Sequence, residues 1–296
     1  TARVYANCLV QSRRARKIEV GAGLDTPKQN PKRTFTQPLR GRATVAPVPT
    51  PPKEVLVRFI PRLLVLVTFV AVLAVPAATA AERMWVGFHD DPVLRWDGGR
   101  TEAMDRARAN EAAVLRTVVD WSKVAPTRPA QAADPFDPTY LFGDVDEFVR
   151  NAQQRGMEVL ITLWGTPGWA NGGQKRQAAP RNLADFQNFA RAIASRYSGR
   201  YAGYPFVRFY SIWNESNLAT FLVPQFNSSG RIVSPRVYAG LARAGIAGIK
   251  AGNRRARIAI GETASNGRNR RVPGQTDTVA PATFMQGVAA AMRGVR

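Results

Sequence analysis

From residue 84 onward the chain alternates between two hydrophobic rhythms. Short apolar runs closed by polar residues are separated by stretches in which apolar positions recur every three or four residues. The first rhythm reads as strand, the second as amphipathic helix. Strands are predicted over 84–89 (MWVGFH), 113–121 (AVLRTVVDW), 158–164 (EVLITLW), 207–213 (VRFYSIW) and 256–261 (ARIAIG). Helices are predicted over 101–111, 142–156, 182–197, 235–251 and 282–293. In the second helix Val145, Phe148, Val149 and Ala152 share one side, and Gly156 closes it. The third carries the stripe Leu183, Phe186, Phe189, Ile193 and Tyr197, and the fourth ends at Gly252.

Strands alternating with single helices build parallel βαβ units. Five in a row, each strand leaving into polar residues, favour a (β/α)8 barrel over a doubly wound sheet. No GxGxxG follows the first strand, which counts against a dinucleotide fold. The fold class is thus α/β, an incomplete barrel of about five βα units. The chain stops at Arg296, where a sixth strand would begin. Expressed alone, it is expected to be unstable and weakly active.

The segment before the barrel reads differently. Residues 1–56 lack periodicity, carry eleven Lys and Arg against Glu19, Asp25 and Glu54, and cluster prolines at Pro47, Pro49, Pro51 and Pro52. Such a stretch is expected to be disordered. Residues 57–81 have the order of a secretory signal peptide: Arg58 and Arg62, thirteen uncharged residues from Leu63 to Val75, then Ala78-Thr79-Ala80. The apolar run is short for a membrane span, so membrane contact is expected only in transit. A signal peptide belongs at an N-terminus, so residues 1–56 read as a mis-called extension. The product is expected to be secreted, with residues 82–296 as its catalytic barrel.

Composition narrows the chemistry. With 45% hydrophobic and 21% charged residues the chain is globular overall. The formal net charge of +21 suits either an Arg-rich extracellular enzyme or a polyanion binder. Inside the barrel no basic run with interleaved aromatics stands out, which disfavours nucleic acid. Cys8 is the one cysteine and His89 the one histidine, so neither a disulfide framework nor a multi-histidine metal cluster can form.

The candidate chemistry sits at 207–218, VRFYSIWNESNL. A strand pattern stops at four polar residues, Asn214-Glu215-Ser216-Asn217. A carboxyl at the exit of a hydrophobic strand has its pKa raised by burial, and the amide beside it offers directional hydrogen bonds. The WNESN box resembles the WNEPN box of the clan A retaining glycoside hydrolases. The resemblance extends through GFHDD (87–91), LRTVVDWSKVAP (115–126), VLITLWGTPGWANGG (159–173) and RIAIGETAS (257–265). These stretches are similar to secreted cellulase-family and family 39-like barrels.

The resemblance implies hydrolysis of β-linked oligo- or polysaccharide with retention of configuration. It makes Glu215 the general acid/base and Asn214 the hydrogen-bond partner of the sugar 2-hydroxyl. It makes Arg116 the strand-two arginine that holds the nucleophile carboxylate, and it places that nucleophile after a seventh strand. Ser216 stands where the family usually has Pro, which predicts a less rigid loop. His89, Trp164, Trp169 and Glu262, all at or beyond strand exits, are candidate substrate contacts, with Trp121 a further stacking candidate and Asp90 and Asp91 weaker ones. Glu262 reads as a substrate contact rather than the nucleophile. No metal or organic cofactor is implied. The expected partner is a carbohydrate, with no nucleic acid, and the oligomeric state is left open. Two rival readings remain: a catalytically silent sugar-binding barrel, and a polyanion binder acting through residues 1–56.

Overall fold

The computed structural model describes residues 84–293. The predicted extension and signal peptide lie outside the described residues. What is described is a parallel sheet in strict chain order, with each strand followed by helix. The strands are β1 (Gly87–Phe88), β2 (Val114–Asp120), β3 (Glu158–Trp164), β4 (Phe209–Ile212) and β5 (Arg257–Ala259). The helices are α1 (Arg100–Ala109), a short α2 (Trp121–Val124), α3 (Gly143–Gln154), a short α4 (Gly168–Asn171), α5 (Leu183–Arg196), α6 (Ser234–Gly252) and α7 (Pro281–Ala291). A π-helical turn at Pro92–Trp96 follows β1. These are five of the eight units of a (β/α)8 barrel, and each neighbouring pair of strands is parallel.

The two faces of the sheet have different work. Leu115, Thr117 and Val119 of β2 lie beside Val159, Ile161 and Leu163 of β3, and all six are fully buried. With Tyr210 and Ile212 they form the layer under the helices. The alternate residues face the barrel axis. There Arg116 donates from Nε to Thr162 Oγ1 (2.9 Å), and Thr162 shares a hydrogen bond with Ser211 (2.7 Å). Buried polar groups of this kind persist only when each finds a partner. The axial face is therefore polar by design near the strand exits and apolar below them. At the lower end the Trp85 ring meets Phe209 edge-on at 5.3 Å.

The helices form where the sequence pattern places them. Val145, Phe148, Val149 and Ala152 of α3 are buried, and Gly156, with φ +70°, takes the left-handed turn that ends it. Of the α5 stripe, Phe186, Phe189, Ile193 and Tyr197 are fully buried while Leu183 stays exposed at the first turn. α6 ends at Gly252, where the pattern places its end, and Asn253 is the first residue to leave helical geometry. Gly252 is there for contact: a Cβ on it would lie 2.5 Å from Arg191 O, and one on Gly248 would lie 2.2 Å from Gln187 O. The two helices touch backbone to backbone at these glycines, and this sets how β4 and β5 are backed.

Candidate active site

The site is built where β4 ends. The Trp213 N–H donates to Leu163 O (2.8 Å), carrying the ladder one residue past β4. The chain then turns through two left-handed residues, Trp213 (φ 66°) and Glu215 (φ 38°). Such conformations cost non-glycine residues on the order of 1–3 kcal/mol and persist only where the surroundings impose them. Here the Trp213 indole is fully buried, its Nε1 donating to Phe221 O (2.7 Å) and its ring set edge-on to Phe186. The anchored indole holds the bend that brings Asn214 and Glu215 to the sheet's C-terminal rim.

Arg116 of β2 gathers the polar residues of the rim. Its buried guanidinium donates to Asn214 Oδ1 (2.7 Å), to a carboxylate oxygen of Glu262 and to His89 Nδ1 (2.9 Å). Arginine is always a donor, so His89 accepts at Nδ1 and carries its proton on Nε2. That Nε2 faces Asp91 Oδ2 at 3.4 Å. Burial opposes ionisation of Asp91, but bonds from His89, Thr117 and the Val118 N–H outweigh it and hold its carboxyl below the usual range. The chain Asp91–His89–Arg116 thus fixes Asn214 and Glu262 from behind.

Glu215 faces the opposite balance. Burial raises its pKa; the Arg116 charge lowers it, the Glu262 charge raises it, and the net shift is upward. A carboxyl whose pKa is raised by burial and by a neighbouring carboxylate is suited to proton donation to a leaving group.

Two residues that the strand pattern did not single out hold the rim in place. Asn217 is fully buried and makes bonds on every polar atom of its amide. Its Oδ1 accepts from the Ala264 N–H (2.8 Å), and its Nδ2 donates to Asn266 O and Val279 O (2.9 Å each). This amide ties the Glu215 loop to the Glu262 loop. Tyr238 of α6 does the same from below, donating to Ile212 O (2.9 Å) and accepting from the Gly261 N–H (2.6 Å). Burial and the Glu262 charge both push its phenol up, against the Gly261 hydrogen bond. Asn217 had a legible signal, an amide inside the WNESN box; Tyr238 had none. Asn217→Ala is expected to cost about 2–4 kcal/mol, because it orphans buried backbone groups, read as a lower urea midpoint.

The other candidates fare unevenly. Ser216 is buried, and its N–H reaches Glu262 O (3.3 Å), a bond that proline could not donate, so this loop gains a tie rather than losing stiffness. The aromatic candidates require correction. Trp121 is fully buried among Trp169, Phe186 and Phe189, and no sugar can reach it. Trp164 is buried with the Arg176 guanidinium 4.7 Å over its ring, and its Nε1 donates to Phe221 O (3.0 Å). Trp169 directs Nε1 to Ala125 O (2.8 Å) and lies under Arg128, so its polar handle joins the β2–α3 connection rather than the rim. Asp90 serves locally, accepting from the Val93 N–H (3.3 Å). A cavity of about 380 Å³ adjoins Asp91, Asp120 and Trp164 and extends to the exposed Trp96.

A parallel barrel segment with an Asn–Glu pair at the exit of its fourth strand and a buried arginine behind it defines a class of protein, the clan A barrels. The sequence places the chain within that class. Residues 80–279 match the cellulase family, glycosyl hydrolase family 5, and the chain belongs to it. No curated protein matches significantly. Solved structures similar to it include a family 39 glycoside hydrolase from Bacteroides cellulosilyticus WH2 (17% identity, 59% of this chain and 30% of that one, TM-score 0.41). Cel5A of Thermotoga maritima, in complex with mannotriose, is 19% identical over 65% of this chain and 57% of that one, with a TM-score of 0.40. The family GH5_18 protein of Streptomyces cattleya, in complex with GlcNAc, is 15% identical over 56% and 40%, with a TM-score of 0.41. The chain spans less than two thirds of each of these proteins.

Proposed function

We propose that this domain hydrolyses β-linked oligo- or polysaccharide by double displacement, with Glu215 as general acid and then general base. One observation carries the reading: Glu215, raised by burial and by Glu262, stands next to an Asn214 whose Oδ1 is held by Arg116. Asn214 Oδ1 is occupied by the guanidinium, which leaves its NH2 to meet a sugar hydroxyl. That contact strengthens as the oxocarbenium ion forms. Glu215 gives its proton to the glycosidic oxygen, and later takes one from the water that releases the sugar. The nucleophile that the resemblance places after a seventh strand is not among the described residues. Glu262 is bonded to Arg116, adds to burial in raising the pKa of Glu215, and acts as a substrate contact. His89, held by Arg116 and Asp91, is the second hydroxyl contact.

The leader-like order of 57–81 supports a secreted location for this activity. The test is the anomer first formed from a β-linked glucan or mannan oligosaccharide, followed by NMR. The β-anomer appearing first supports double displacement; the α-anomer first overturns it.

A further inference from the structure

The loop from Ser198 to Val207 enters β4 at the sheet's other end and carries Tyr201, Tyr204 and Phe206 between Arg200 and Arg208. Aromatics and arginines do interleave inside the barrel, contrary to the expectation from the sequence. Around this loop lies an open groove of about 670 Å³, lined by those three aromatics with Arg150, Arg255 and Gln154 among others, and by no carboxylate. Strand β3, seven residues long, separates this end from the rim, so the groove lies roughly 20 Å or more from Glu215. In barrels of this kind the N-terminal face serves stability, and an arginine-lined groove there is unexplained by catalysis.

The groove is built rather than incidental. Tyr201 and Tyr204 are propped edge-on against Phe136 at 4.9 and 5.2 Å, and the Gln153 amide holds Phe206 O (2.7 Å). Arg255 stacks its guanidinium 4.2 Å over Phe206 and spends one donor on Ser198 O (3.2 Å), leaving the rest of its fork free. Arg150 is exposed and pairs with no acid among the described residues. By contrast Arg95 pairs with Asp144 and Arg196 with Asp146.

We propose that this groove binds a carboxylated polysaccharide, as a non-catalytic site that keeps the domain on its polymer. Tyr201, which is exposed, offers a flat apolar face to sugar C–H groups, whereas Tyr204 carries the Arg196 guanidinium 4.3 Å over its ring. The guanidinium forks take a carboxylate through two parallel bonds. Arg150 and Arg255 supply two such forks to the groove. A nucleic acid, which engages six or more phosphates in typical complexes, needs a longer basic track. The choice of a glycan rests on the proposed activity; the groove's geometry and charge do not.

The test is affinity electrophoresis of the full chain in gels containing polygalacturonate, a β-1,4-linked polymannuronate of equal charge density, or neutral hydroxyethylcellulose. Both polyuronates are expected to retard the protein, the β-linked one at least as strongly, the neutral polymer to do so at least five-fold more weakly, and salt to weaken the effect. Arg150→Ala and Tyr201→Ala, both exposed positions, are each expected to lower affinity about five-fold, with hydrolysis unchanged. Glu215→Gln is expected to bind like the parent, so failure of the catalytic reading leaves this result standing. Three outcomes overturn the proposal: the double variant Arg150→Ala/Tyr201→Ala retarded like the parent, equal retardation by the neutral polymer, or an equal loss on Arg108→Ala, an exposed arginine on α1. Tighter capture by a single-stranded oligonucleotide than by polygalacturonate overturns it too.

Discussion

On the proposed mechanism, Glu215→Gln is expected to lower whatever kcat the chain shows on a β-linked substrate by about 10³-fold, in the range that positioned proton transfer contributes. The glutamine keeps the shape and the left-handed backbone but cannot supply a proton. KM is expected to change far less, because the sugar contacts proposed for Asn214 and His89 remain. Steady-state kinetics separates the two, and a variant within ten-fold of the parent kcat would remove Glu215 from the chemistry. The same substitution has a stability signature. The folded pKa of Glu215 lies above its unfolded value. Below the unfolded value both states are protonated and the group is neutral to stability. As pH rises from there through the folded value, the unfolded state ionises first and the native fold loses stability. Glu215→Gln is therefore expected to melt like the parent near pH 4 and above it at pH 7. A Tm difference constant across that range would mean that the carboxyl is not raised.

Arg116→Met is expected to cost stability on the order of 3 kcal/mol. The guanidinium is buried and serves Thr162, His89, Asn214 and Glu262 at once. Methionine fills much of the volume but leaves four acceptors without their donor. Arg116→Lys restores the charge without the planar fork, so part of the loss is expected to return and the activity is not. The double variant Arg116→Met/Glu262→Gln is expected to be less destabilised than the sum of its singles, because the orphaned carboxylate is gone. Urea denaturation of the four proteins checks this. A cost under about 1 kcal/mol for Arg116→Met would mean that the rim network contributes little to the fold.

Much of the architecture follows from local pattern. The strand read at 158–164 has the bounds of β3, and the helices read at 142–156 and 182–197 lie within two residues of α3 and α5 at each end. Period-2 and period-3.6 burial are properties of contiguous residues, so a single chain displays them. The Asn214–Glu215 pair was legible for the same reason, as polar residues breaking an apolar strand. The turn at 92–96 was not, since Asp90-Asp91-Pro92 carries loop chemistry. Trp121 misled because an aromatic at a strand exit looks the same in sequence whether it faces solvent or the next helix.

The order of strands and helices, the chemistry at the end of the fourth strand and the family itself were thus written in the sequence. The tertiary structure alone decided which groups share a charge. Arg116 and Glu262 lie 146 positions apart and meet only because parallel strands in register bring their exits to one rim. No local rule reports such a pairing. It depends on strand register and on the helix contact at Gly248 and Gly252, and both are set by packing across the whole sheet.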